Sequence, residues 1–285
     1  PWLALQDVVL AKFDYGKLDL PEHKVQLRLG STALQAKNVR LADGKSAVDV
    51  TYIKEGKLHR VRAKQSVMAG YNMMIPYMVP EMPEPQKEAL SQNAKAPLVY
   101  TKVVIKNWQS FVKLGVHEVY SPAAPYSRVK LDYPVNLGGY EHPKSPDQPM
   151  CLHMVYVPTL PGSGLSAREQ SRKGRAMILG MPFEQHEQMI REQLQGMLGS
   201  AGFNHEQDIL AITVNRWSHG YSYVTNTLFD DEAQCEKWIE LGRQPIGNIT
   251  IANSDSDWSP YAHSAIDQAW RAVNELVAMH KGGAQ

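Results

Sequence analysis

The residues best placed to do chemistry gather near the C-terminus. There Ile249-Thr250-Ile251-Ala252 reads as an apolar strand and residues 253–258 as a polar loop that holds Asn253, Ser254 and Asp255. Ser259-Pro260 reads as an N-cap followed by proline at the first helical position. A helix should follow, with Ala262, Ala265, Ile266, Ala269, Val273, Leu276 and Val277 forming one apolar stripe. Unpaired N–H donors and the positive end of the helix dipole would converge on the loop, a site suited to an electron-rich group. The same unit also serves as plain scaffold in many α/β proteins. Upstream, Asn215-Arg216-Trp217-Ser218-His219-Gly220-Tyr221 combines a guanidinium, aromatic faces and an imidazole. His219 could carry a proton or ligate haem iron, or it could simply hydrogen-bond to backbone. Lys102 lies on the alternating run Pro97-Leu98-Val99-Tyr100-Thr101-Lys102-Val103 and, with Lys106, also fits the exposed face of an ordinary strand.

These residues need elements to hold them. Val25-Gln26-Leu27-Arg28-Leu29, Val48-Asp49-Val50-Thr51-Tyr52-Ile53 and Leu58-His59-Arg60-Val61-Arg62-Ala63 alternate apolar and polar residues. That period predicts an antiparallel meander turning at Asp43-Gly44 and Glu55-Gly56-Lys57. Ser66-Val67-Met68-Ala69-Gly70 alternates little, as in a strand buried on both faces. Four prolines between residues 75 and 85 break regular structure and mark a boundary near residue 75. Beyond them the pattern predicts a helix over 85–93, a strand over 97–106, and a Pro-, Gly- and Tyr-rich region over 121–165. A helix over 183–198 is capped by Gly199, and a strand follows over 209–214.

Composition removes several function classes. With 285 residues, 43% of them hydrophobic, the chain can bury a core in one or two domains. Its 30 Lys and Arg nearly cancel its 29 Asp and Glu, so no single-sign field favours nucleic acid. No apolar run reaches the roughly 20 residues a bilayer span needs. Cys151 and Cys235 form no metal-binding or haem-attachment spacing, and Met68, Met73, Met74, Met78 and Met82 lack a Cys and His framework, so no metal is assigned. Arg172, Lys173 and Arg175 read as a solvated basic patch. Pro1 cannot initiate translation and no signal-peptide pattern follows it, so the chain is expected to be the remainder of a longer protein.

Taken together, Gly247-Asn248-Ile249-Thr250-Ile251-Ala252-Asn253-Ser254-Asp255 and Tyr261-Ala262-His263-Ser264-Ala265-Ile266-Asp267-Gln268-Ala269 resemble the C-terminal FAD signature of the flavin amine oxidases. Arg216-Trp217 with Gly220-x-Tyr, and the strand bearing Lys102, resemble two further segments of that family. The run Tyr71-Asn72-Met73-Met74-Ile75-Pro76-Tyr77 resembles the subgroup of bacterial spermidine dehydrogenases. The resemblance implies non-covalent FAD, with Asp255 accepting from a ribityl hydroxyl and the N–H groups of Ala262 and His263 facing the flavin pyrimidine. Trp217, Asn253 and Ser254 would complete the cofactor site. Tyr221 and Tyr261 would flank a substrate amine, His219 would lie beside them, and Lys102 would hold a water at the flavin N5.

The fold implied is mixed α/β and amine-oxidase-like, with residues 1–75 and 245–285 on the cofactor side and 76–244 on the substrate side. The reaction implied is hydride removal from a polyamine such as spermidine, whose distal ammonium groups could use Asp132, Asp147, Asp230 or Asp231. The subgroup also raises haem b as a second cofactor and the periplasm as the compartment. One family feature has no match: no Gly-x-Gly-x-x-Gly turn precedes a helix, since Gly162-Ser163-Gly164 and Gly196-Met197-Leu198-Gly199 stand in other contexts. The expected partner is therefore an N-terminal FAD-binding segment of the same protein. Two other readings remain open: a non-catalytic assembly module, and a related flavin oxidoreductase with an apolar substrate.

Overall fold

A computed structural model describes residues 10–282, with side chains described to Met279. Residues 1–9 and 283–285 of the expected cofactor-side portion lie outside the described residues. The chain forms two compact units, one of residues 14–94 and 221–285, the other of residues 95–220 with a short N-terminal stretch.

In the first unit the meander forms from β1 (Ser31–Arg40), β2 (Ser46–Lys54) and β3 (Lys57–Ala63), antiparallel in the order β1-β2-β3. Gly44, Glu55 and Gly56 adopt positive φ in its turns, as the sequence predicts for these positions. The expected strand at Val25–Leu29 is not formed. Those residues make turns and bends, and Arg28 instead pairs with Asp19 at 2.8 Å and donates to the Tyr52 hydroxyl at 2.9 Å. The local alternation there has no ladder partner, and the first strand begins at Ser31.

β4 (Ser66–Met68) follows, then α1 (Ile75–Met78) and α2 (Glu84–Ser91). Only Met68 of β4 is buried and Val67 is well exposed, so burial on both faces is not observed. The proline-rich stretch is more regular than expected, because Pro76 and Pro85 sit in the first turns of these short helices, where a missing N–H costs nothing.

The second unit is built on a five-stranded sheet in the order β6-β7-β8-β5-β9. Its strands are β5 (Ala96–Ile105), β6 (Glu118–Tyr120), β7 (Tyr126–Leu131), β8 (Met150–Tyr156) and β9 (Ile209–Tyr221). Its helices are α3 (Gln109–Leu114), α4 (Ala167–Gly180), α5 (Phe183–Leu198) and α6 (His205–Asp208). One sheet face, with Val99, Val103, Ile105, Val129, Leu152 and Met154, packs on Phe111, Ile178, Ile190, Leu194 and Leu198. Burying such side chains supplies about 1.5–3 kcal/mol each before conformational entropy is subtracted. α4 opens on a capping box between Ser166 and Glu169. Arg175 of α4 is no solvated charge: it donates to the carbonyls of Ser218 (3.0 Å) and Lys95 (3.3 Å).

The chain then returns to the first unit with α7 (Glu232–Gly242), β10 (Ile249–Ile251) and α8 (Ala262–Gly282). β10 lies parallel to β4, pairing Ile249 with Ser66 and Ile251 with Met68. Residues 76–94 and 221–244, expected on the substrate side, belong to this compact unit. Gln86 donates to the carbonyls of Gly242 and Gln244, and Asn93 donates to Ser222 and to the Tyr223 carbonyl.

Candidate functional site

The C-terminal strand, turn and helix form as expected, with a displaced start. Ser259 is not the N-cap and Pro260 is not the first helical residue; α8 begins at Ala262. The Ser259 hydroxyl instead meets the Ser264 hydroxyl at 2.7 Å, and the Tyr261 N–H bonds back to the Ser259 carbonyl at 2.9 Å. The buried side of α8 is Ser264, Gln268, Ala272 and Leu276, four residues apart. The predicted stripe largely faces outward, with Ile266 68% exposed alongside Ala262, Ala269, Val273 and Val277, and only its Leu276 is buried.

The turn between β10 and α8 is held from within. Asn253 accepts from the Ser256 N–H at 2.8 Å and donates to the Asn72 side chain at 3.0 Å. Asp255 is buried and accepts the Asn72 N–H at 3.2 Å, so its carboxylate joins this turn to the 70–72 segment. Ser254 begins the short 3-10 turn that separates them. Trp258 takes a left-handed conformation (φ 47°), which costs an L residue of this size about 1–2 kcal/mol. Its buried ring offsets that cost by packing edge-on to Tyr223 (5.7 Å) and stacking with Trp238 (6.3 Å). On α8, Arg271 pairs with Glu275 at 2.7 Å and donates to the carbonyls of Arg243 and Ile251. One guanidinium thus fastens the helix to the end of β10.

What this construction leaves open is the start of α8. Ala262 and His263 are exposed, as is Tyr261, whose ring stacks on His263 at 5.4 Å. The first N–H groups of a helix have no intrahelical carbonyl. An exposed helix N-terminus with a hydrogen-bonded turn behind it can receive an electron-rich group. Asn253 and Asp255 contribute here by shaping the turn.

In the second unit the sheet has an open face, where Tyr100, Lys102 and Val104 of β5 alternate with the buried residues. The Lys102 ammonium pairs with Asp132, just beyond β7, and Lys102 stands opposite His153 in the ladder. Burial lowers the pKa of the His153 imidazole, and the Lys102 charge lowers it further. On β9, Trp217 is half exposed, while Arg216 donates to the carbonyls of Ile178, Leu179 and Met181 at the end of α4. His219 contacts the Ser218 hydroxyl at 3.0 Å, and burial followed by the Arg175 charge lowers its pKa. At Gly220 an added Cβ would stand 2.7 Å from Leu98 and 2.8 Å from the Ala96 carbonyl, so β9 can approach β5 there only without a side chain.

Lys102, Trp217 and His219 therefore belong to one unit. Tyr221, half exposed, belongs to the other with Tyr261, Asn253, Ser254, Asp255, Ala262 and His263. Sequence reasoning missed the roles of Asp132, Arg175 and Arg271, since a fixed charge shows only once its partner's element is placed. Alternation in Met150-Cys151-Leu152-His153-Met154-Val155-Tyr156 was the available signal for β8. All four carboxylates considered for an ammonium group are already engaged. Asp132 holds Lys102, Asp147 holds Gln109, Asp230 takes the Tyr223 hydroxyl (2.7 Å) and the Asn226 N–H (2.8 Å), and Asp231 caps α7.

Comparison with solved structures gives the architecture its relatives. Wild-type putrescine oxidase bound to putrescine superposes with a TM-score of 0.56 at 12% identity, over 87% of this chain and 48% of that one. The fold is that of the amine oxidases. Cyclohexylamine oxidase from Brevibacterium oxydans IH-35A gives a TM-score of 0.55 at 10% identity, with the same 87% and 48% coverage. A cofactor-site double mutant of putrescine oxidase reaches 0.57 at 12% identity. The chain thus spans about half the length of the amine oxidases it matches, and the mixed α/β expectation is met. No family model and no curated protein matches its sequence. Among the described residues, no cluster of His, Cys, Asp or Glu could hold a metal ion.

Proposed function

We propose that this chain is the substrate-facing half of a flavin-dependent amine oxidase or dehydrogenase. The observation that carries the reading is the β10–turn–α8 unit, with its exposed helix start, set in an amine-oxidase fold. The N–H groups of Ala262 and His263 would hold the pyrimidine edge of FAD, with Ser254 completing that side of the site. When bound, the flavin supplies an acceptor for hydride from the carbon beside an amine nitrogen.

The chain's own residues orient the amine and exclude water. Tyr221 and Tyr261 offer π faces that tolerate a neutral or cationic amine. In the other unit, burial lowers the pKa of His219, which favours the neutral imidazole that a proton acceptor needs. The start of α8 would favour negative charge on a bound flavin. The partner this reading requires is the nucleotide-binding segment of an amine-oxidase-like protein. The outward stripe of α8 and the two-stranded parallel pair β4–β10 support it, since parallel sheets are ordinarily covered on both faces.

The finer form of the proposal is a polyamine such as spermidine, supported by the subgroup resemblance around residues 71–77. A second reading, a monoamine, is favoured by one observation: Asp132, Asp147, Asp230 and Asp231 already have partners. The full-length protein, mixed anaerobically with spermidine and separately with cyclohexylamine, decides between them by loss of the flavin absorption at about 450 nm. Bleaching by either amine supports amine oxidation, and the faster amine names the class. A colourless protein, or a flavin that neither amine reduces, overturns the proposal in favour of an assembly module or an apolar substrate.

A further inference from the structure

Lys102 shares its sheet face with other basic side chains. The open sheet face around it carries Lys130 and Arg128 from β7, His153 and Cys151 from β8, and Tyr133 beyond β7. Arg128 is neutralised across the ladder by Glu118 of β6. Lys130 is 4% exposed and lies against the Tyr133 ring, and His153 stands between Lys130 and Lys102 in the register. Among the described residues the carboxylate paired with the Lys102 ammonium is that of Asp132.

Asp132 is built to be rigid. Its N–H donates to the Cys151 carbonyl at 2.8 Å, which continues the β7–β8 ladder by one residue. One carboxylate oxygen accepts the Tyr133 N–H at 3.0 Å and the other takes Lys102. Burial raises the Asp132 pKa, but the Lys102 pair and the Tyr133 N–H outweigh it and bring the carboxyl below its ordinary value. Its backbone is tied to β8 and its carboxylate to the Tyr133 N–H, so the Asp132 carboxylate is held in place independently of Lys102.

We propose, resting on the amine-oxidation reading above, that Asp132 is the positioning residue of Lys102. It holds the ammonium on the open face of the sheet as an oriented cation, so that Lys102 acts as a fixed charge and hydrogen-bond donor. Without Asp132 the ammonium faces the Lys130 charge and the neutral His153, and turns to solvent.

Competitive labelling of the native full-length protein with an amine-reactive reagent, read by peptide mass spectrometry, tests the pairing without the cofactor. Lys106, exposed just past the end of β5, is the internal control. Lys102 is expected to label about fivefold more slowly than Lys106 in the native protein, and about fivefold faster in Asp132→Asn than in the native protein, with Lys106 unchanged. Asp132→Glu restores the slow rate. Equal labelling of Lys102 and Lys106 in the native protein overturns the proposal even if the Asn variant does not fold, and so does a Lys102 rate that Asp132→Asn leaves unmoved. In the flavin-loaded protein, Asp132→Asn moves the pH profile of reoxidation and Asp132→Glu returns it; a profile that stays in place overturns the positioning role. Amine-dependent bleaching of the flavin tests the amine-oxidation reading separately.

Discussion

At the scale of single residues, the candidate site separates into groups that hold and groups that are left open. Asn253, Asp255 and Arg271 spend their hydrogen bonds on the turn, whereas Tyr261, Ala262 and His263 remain exposed. Tyr261→Ala should therefore leave stability nearly unchanged while lowering kcat/KM for the amine by about tenfold or more, and Tyr261→Phe should retain most of the activity. Steady-state kinetics and urea unfolding of the same samples check both parts. His186 behaves differently. It is fully buried, its Nδ1 lies 3.4 Å from the Tyr126 hydroxyl, and burial followed by the Arg216 charge lowers its pKa. A depressed imidazole pKa means that below about pH 6.5 the unfolded chain takes up a proton the folded chain refuses, so stability falls with acidification. His186→Gln should flatten that loss, with His153 and His219 keeping part of the slope because their pKa values are depressed too. Urea midpoints from about pH 8 down to pH 5.5 measure it. The order of strand, loop and helix at the C-terminus was legible from residue type, but the helix start was not, since α8 begins at Ala262 and not at Pro260. The sequence could not show that Lys102 is paired, because its partner lies thirty residues away on another strand.

At the scale of elements, periodicity located β2, β5, α2 and α5, each with one face in contact with a core, and also β3, which is exposed along nearly its whole length. It failed for residues 25–29, where alternation has no strand to pair with, and for α8, where the apolar stripe is not the buried face. On α8 the side toward β10 is set by the Arg271 fastening and by small or polar residues, Ser264, Gln268 and Ala272, which allow a close approach. β9 shows the same dependence on close contact. Gly220→Ala should force the strand away from Leu98 and Ala96 and destabilise the protein by about 1–3 kcal/mol, with loss of activity from displacement of Trp217 and His219. Denaturant unfolding gives the first quantity and turnover the second. An Ala variant as stable as the parent would show that β9 does not approach β5 as described.

At the scale of the whole molecule, the near-zero net charge supplies no single-sign field to draw in nucleic acid. Among the described residues no helix is long and apolar enough to cross a membrane. The mixed α/β class was legible from the meander, the long helices and the strand–turn–helix ending. The division into compact units was not, because it depends on side chains such as Gln86 and Asn93 that join segments more than a hundred residues apart. The central claim is that a flavin is held at the start of α8. The measurement that tests it most directly is amide hydrogen exchange of the full-length protein, with and without FAD, resolved to the peptide containing Ala262 and His263. The account predicts slower exchange there when FAD binds, with the α8 residues beyond Ala272 little changed. FAD binding that leaves those amides exchanging at their free rate would contradict it.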